Sequence, residues 1–79
     1  MEITYSKSAM KSIKYLNEPM KSHIKEAIEK IPQGDIKKLS GYTTMYRLRV
    51  GNYRIIYKAV LNGIFIEDIL PRGEAYKRL

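Results

Sequence analysis

The apolar residues of this chain change their spacing once, and that change decides what kind of domain it can form. From Ala9 to Ile31 they recur at the three- and four-residue intervals of helix faces, whereas from Met45 to Leu70 they alternate or run together as strands do. Ala9, Ile13 and Leu16 fall at i, i+4 and i+7 while Lys7, Lys11 and Lys14 take the wet side, and Ser6 has N-cap chemistry, so a helix is expected from Ser6 to about Leu16. Asn17 and Pro19 read as the cap and early-turn residues of a second helix, whose Met20, Ile24, Ala27, Ile28 and Ile31 form an apolar stripe. Together they predict an antiparallel helical hairpin, preceded by a short strand from Glu2 to Tyr5.

Pro32-Gln33-Gly34-Asp35 stops the second helix, and Ile36 to Thr44 reads as a basic connection. Met45 to Val50 then alternates, with Tyr46, Leu48 and Val50 on one side and Arg47 and Arg49 on the other. A Gly51-Asn52 turn leads into Tyr53 to Leu61, rich in β-branched and aromatic residues. Asn62-Gly63 is a hairpin signal, since both residues accept the positive φ values of a type I′ turn. Pro71 ends a last strand from Ile64 and leaves Arg72-Gly73-Glu74-Ala75-Tyr76 at its rim. The expected architecture is α+β over a single domain, residues 1–79: the N-terminal strand and two-helix hairpin pack on one face of an antiparallel sheet of about four strands, with a basic concave face opposite.

Composition narrows the chemistry. The 79 residues hold no cysteine and one histidine, so a disulfide, a thiolate nucleophile and a Cys- or His-cluster metal site are not expected, and no cofactor is implied. The start, Met-Glu-Ile-Thr-Tyr, has neither a basic nor an apolar leader region, and no apolar run approaches membrane length, so cytoplasmic residence without a membrane partner is expected. A net charge of +7 favours polyanionic partners.

That charge is organised. From Lys37 to Lys58 there are six basic residues and no acidic one. Arg47 and Arg49 leave the same side of one strand, and Arg54, just after the Gly51-Asn52 turn, can bring its guanidinium to the same surface. Guanidinium forks match phosphate oxygens and ammonium groups attract them, which makes Arg49, Lys37, Lys38 and Lys58 candidate contacts to a phosphodiester backbone. Bland alternatives accompany each. Arg47 and Arg49 also suit the wet side of an edge strand, where charge discourages aggregation; Arg72 suits a strand end; Tyr53 and Tyr57 suit packing; His23 and the lysines of both helices suit a solvated helical face. Arg54 is the exception, because an isolated charge inside an apolar strand is costly unless paired or exposed in a groove.

This order of elements resembles the RelE/ParE superfamily of toxins from type II toxin–antitoxin modules over nearly the whole chain. The resemblance rests on Gly34-Asp35 with Lys37-Lys38-Leu39 and Gly41, on Tyr46-Arg47-Leu48-Arg49-Val50-Gly51 with Tyr53-Arg54-Ile55-Ile56-Tyr57, and on Pro71-Arg72-Gly73-Glu74-Ala75-Tyr76. A RelE-like reading implies an endoribonuclease (mRNA interferase) that cuts mRNA on the ribosome without a metal and so inhibits translation. It implies Arg54 and Arg72 at the scissile phosphate, Tyr76 stacking on or orienting the substrate, and Arg47 on the strand where such enzymes place basic residues, commonly lysine. Arginine clamps phosphate but stays protonated, so the base would be Tyr76, Glu74 or a group of the substrate or ribosome. The resemblance also implies a cognate antitoxin protein as partner. Two other readings stay open: a ParE-like inhibitor of DNA gyrase without nuclease chemistry, and a non-catalytic basic RNA-binding module.

Overall fold

The computed structural model describes residues 1–39, 41 and 44–71, comprising β1 (Glu2–Tyr5), α1 (Lys7–Tyr15), α2 (Met20–Glu29), β2 (Asp35–Lys38), β3 (Met45–Val50), β4 (Tyr53–Val60) and β5 (Gly63–Pro71). Ser6 caps α1 as its chemistry predicts. Its hydroxyl accepts from the Ala9 amide at 2.9 Å and donates to the Glu67 carbonyl at 2.6 Å, so the start of the helix is tied to β5. The second helix begins otherwise than expected. Its N-cap position is Pro19, with no side-chain acceptor, and Asn17 contributes only its carbonyl, to the Lys21 amide. The Glu18 carboxylate does the side-chain work instead, accepting from the Ser22 hydroxyl at 2.7 Å and amide at 3.0 Å, bonds that hold its pKa below the ordinary carboxylate value.

The sheet has five strands in the order β1-β5-β4-β3-β2, not four. Strands β2 to β5 pair antiparallel, as a meander should, but β1 joins β5 in parallel, so the sheet is mixed. The added strand, β2, lies in what the sequence presents as a connection. Its four residues hold one apolar side chain, Ile36, set opposite the buried Leu48, and so give no visible alternation.

Each helix is seated on the sheet, α1 on β5 and α2 on β3, and the core fills the space between. Ala9, Ile24, Ile28 and Ile31 meet Leu48, Ile55, Tyr57, Ile64, Ile66 and Ile69 there. Strict alternation could not put Ile66 and Ile69 on one side. A bulge permits it: Ile56 pairs with Asp68 and Tyr57 with Ile66, which leaves Glu67 as the extra residue and resets the face of everything after it.

Both hairpin turns are two residues long, and the second is not the turn its sequence suggests. Gly51 has φ of +57° in the first loop, at the position where a II′ turn wants glycine. In the second, the loop is Leu61-Asn62, Asn62 takes φ of +67°, and Gly63 already belongs to β5 opposite Val60. Gly63 is needed for space: a Cβ there would overlap the backbone carbonyl of Glu2, its partner in β1. Gly63→Ala should therefore cost about 1–3 kcal/mol, the scale of overpacking, with loss of hydrogen-exchange protection concentrated in β1. A urea melt with amide exchange checks this; unchanged protection of β1 would refute the steric account.

Candidate nucleic-acid interface

Register decides which cations meet. Across β3 and β4, Arg49 stands opposite Arg54, Arg47 opposite Ile56, and Met45 opposite Lys58; across β2 and β3, Lys37 stands opposite Arg47 and Asp35 opposite Arg49. Directly opposed residues share a face, so Lys37, Arg47, Arg49, Arg54 and Lys58 all lie on the side away from the helices. Lys38 does not join them. It is opposite Tyr46 and belongs to the helix side, where it is exposed. Arg72, Glu74 and Tyr76 lie outside the described residues.

Two of these juxtapositions set like charges directly across the ladder, Lys37 with Arg47 and Arg49 with Arg54, an arrangement that destabilises a sheet. Asp35 relieves part of it. Its Oδ1 is 3.7 Å from Arg47 Nη2, and the Arg47 side chain is 12% exposed against 59% for Asp35. An ion pair so open on one side contributes less than about 1 kcal/mol. The pairing was invisible in sequence, because Asp35 reads there as part of a helix stop.

Arg54 is the unusual residue. Expected as a surface cation in a groove, it is instead 3% exposed. On its face it is followed along the strand by Ile56 and stands across from Leu70, both buried. Its Nη1 donates to the carbonyls of Tyr53 at 3.2 Å and Gly51 at 3.5 Å, while Nε has no acceptor among the described residues. Neutral carbonyls satisfy hydrogen bonds but not charge, and a guanidinium cannot shed its proton. Among the described residues, then, Arg54 is a buried cation without a carboxylate partner, in register with a second arginine. Its low-dielectric surroundings strengthen attraction to any anion brought against it.

Other candidates are placed elsewhere. Tyr57 is buried on the helix side and stacks on Tyr46, ring centroids 5.3 Å apart, so it is a packing residue; burial, then the neighbouring Tyr46, raises its pKa above the usual phenol value. Tyr53 packs against the core. His23 borders a cavity of about 470 Å³ under α2, with Glu26, Lys30, Asp35 and Arg49 on its rim. A carboxylate that the sequence did not mark, Asp68, stands across from Ile56 and accepts the Ser8 hydroxyl at 2.8 Å. Among the described residues no cluster of three metal-ligating side chains occurs, and no helix is long and apolar enough to cross a membrane.

Comparison with known proteins gives concordant results. The model of the family described as ParE toxin of type II toxin–antitoxin system, parDE, matches residues 3–76. Toxin RelE3 of Methanocaldococcus jannaschii is 32% identical over 84 aligned positions, covering 96% of each chain. Among solved structures, the RelB–RelE antitoxin–toxin complex from Methanococcus jannaschii superposes with a TM-score of 0.80 at 30% identity, covering 96% of this chain and 98% of that one. The YoeB dimer from Staphylococcus aureus gives 0.73 at 28%, covering 86% and 92%.

The burial of Arg54 has a consequence that separates site from scaffold. Exchanging a poorly compensated buried charge for an apolar side chain of similar length is often neutral or stabilising by about 1–4 kcal/mol. Arg54→Met should therefore leave the urea midpoint unchanged or raise it. A loss beyond about 2 kcal/mol would mean that the guanidinium is a structural tie.

Proposed function

The chain belongs to the ParE toxin family of type II toxin–antitoxin systems, and from that premise we propose that it is a translation-inhibiting endoribonuclease that cleaves mRNA on the ribosome. The observation that carries this reading is that buried Arg54 stands in register with Arg49 across the ladder, two like charges with no carboxylate paired to Arg54 among the described residues. Such a contact weakens the free protein and is relieved by a phosphodiester, whose oxygens accept from both guanidinium forks.

The chemistry asks little more of the face. RNA carries its own nucleophile, the 2′-hydroxyl. A protein accelerates cleavage by holding that hydroxyl in line with the phosphorus, stabilising charge on the phosphorane oxygens and delivering a proton to the departing 5′-oxygen. Arg54 and Arg49 supply the electrostatic part, Arg47 and Lys37 extend the clamp along the backbone, and Lys58 continues it along β4. Arg72 and Tyr76 complete the assignment, Arg72 on the same phosphate and Tyr76 on the substrate base or the departing oxygen.

A second reading, the gyrase inhibitor, is favoured by the ParE character of the matching family model. Brief induction separates the two. The ribonuclease stops amino-acid incorporation and leaves new transcript ends; the gyrase inhibitor leaves incorporation intact at first and produces double-strand DNA breaks.

Arg54→Ala and Arg72→Ala should each lower cleavage about a hundredfold or more, the scale for one preorganised transition-state donor. Tyr76→Phe against Tyr76→Ala separates proton transfer from stacking, since Phe keeps the ring and loses the hydroxyl. Wild-type cleavage rates in both arginine variants would overturn the assignment.

The reading includes a cognate antitoxin, supported by the toxin–antitoxin complex among the similar structures and by the excess of cations on the sheet face. An acidic partner that also buries apolar surface should bind with a shallower salt dependence than RNA, because apolar burial is not screened. Titration at rising ionic strength with the product of the adjacent reading frame tests this; equal slopes for partner and RNA would refute it.

A further inference from the structure

Helix α1 carries three lysines and no carboxylate. Lys7, Lys11 and Lys14 recur at i, i+4 and i+7, and Tyr15, four residues after Lys11, brings the group to an arc of about 100°. In sequence this is a solvated helix side. Two structural observations give it more meaning. Among the described residues no carboxylate forms an ion pair with any of the three lysines, the one ion pair being that of Arg47 with Asp35. And Tyr15, 71% exposed, stands at the rim of a cleft of about 310 Å³, with Lys11 and Leu16 beside it and Tyr53, Ile69 and Pro71 opposite.

The position of the cleft matters as much as its lining. Tyr53 pairs with Pro71 and Arg54 with Leu70, so the cleft opens at the end of the sheet one residue from the buried arginine, on the other side of the strand. A nucleic-acid strand whose phosphate lies at Arg54 and Arg49 leaves the basic face over this end. What it meets there is the cleft, the exposed Tyr15 ring and the lysines of α1. An acidic peptide could satisfy the lysines and set an apolar side chain in the slot, but the cleft opens one residue from Arg54, where a strand held there by its phosphate continues, and an unpaired nucleobase offers a π-face to the ring and its own phosphates to the lysines.

We infer that the cleft between α1 and the end of β4 and β5 is a subsite for an unpaired nucleobase of RNA flanking the cleaved phosphodiester. The base stacks on Tyr15 against the wall made by Tyr53 and Ile69, Lys11 takes the adjoining phosphate, and Lys7 and Lys14 guide the strand along α1. This inference rests on the RNA reading above and adds to it a second contact, remote from the reacting atoms, that selects single-stranded over duplex RNA.

Fluorescence anisotropy of the full chain with a short single-stranded RNA, and with the same RNA annealed to its complement, tests it. Tyr15→Ala should weaken single-strand binding about tenfold, Tyr15→Phe should bind as wild type, and neither should alter duplex binding. Lys11→Gln should reduce the slope of log K against log salt by about 0.7, the share of one phosphate on a single strand. A 5-iodouridine strand should photocrosslink to the peptide containing Tyr15. Circular dichroism of each variant guards against misfolding. Wild-type affinity and slope in Tyr15→Ala and Lys11→Gln would overturn the subsite while leaving the ribonuclease reading intact. So would Tyr15→Ala that binds RNA normally but loses the antitoxin, since the cleft would then be a protein-docking pocket. A wild-type chain that binds no RNA would remove both.

Discussion

The burial of one side of the sheet under two short helices is the constraint from which the rest follows. Ile24 and Ile28 of α2 and Ala9 of α1 are fully buried against Ile55, Ile66 and Ile69, and each isoleucine so removed from water contributes about 1.5–3 kcal/mol. In a chain of 79 residues, that core has no reserve. It also fixes the register absolutely, because a slip of one residue in β3 or β4 would turn Leu48 and Ile55 outward and drive arginines into the core. Locking the isoleucines in therefore locks Arg47, Arg49 and Arg54 onto the opposite side. The apolar pattern, which looks like a matter of stability, is also what aims the cations.

Within that frame the sheet carries contacts that no folding argument asks for. Lys37 opposite Arg47 and Arg49 opposite Arg54 are repulsive in the free protein, and Arg54 is buried with its Nη1 on two neutral carbonyls, those of Gly51 and Tyr53. A strand selected for folding alone would put threonine or valine at such positions. Local choices that oppose the global fold mark sites kept for another purpose, and here the opposition is concentrated in two adjacent rows of one face.

Much of this was legible in the sequence, and the misses share a cause. Ser6 as a cap, the Ile24–Ile28 stripe and the alternation of Tyr46, Leu48 and Val50 are local patterns, and each appears where expected. What escaped depends on residues far apart in the chain. β1 finds β5 about sixty positions later, β2 shows one apolar residue in four, and the bulge at Glu67 exists only in relation to β4. The electrostatics inherit these omissions: without β2 there is no Asp35 beside Arg47. The Asn62-Gly63 signal shows a subtler failure. It announced a hairpin correctly, but glycine was read as a source of positive φ when its role is to let Glu2 approach. For Arg54 the sequence marks the cost of a lone charge in an apolar strand, and only the fold shows that the side chain is buried.

The like charges of Arg49 and Arg54 bear on how one small face could serve two ligands. An anion bound between Arg49 and Arg54 also stabilises the fold, by an amount set by its affinity and concentration. A phosphodiester can do this with its oxygens, and an acidic protein segment can do it with carboxylates. Two such ligands would compete for the same two guanidinium groups, so inhibition by a partner would need no separate switch in the toxin. The difference between them would lie outside the arginines: an RNA strand would extend over charged and aromatic side chains, whereas a protein partner could add apolar burial that salt does not weaken. A face that is unstable when empty thus favours being covered, and the identity of the cover is decided by what surrounds the arginines rather than by the arginines themselves.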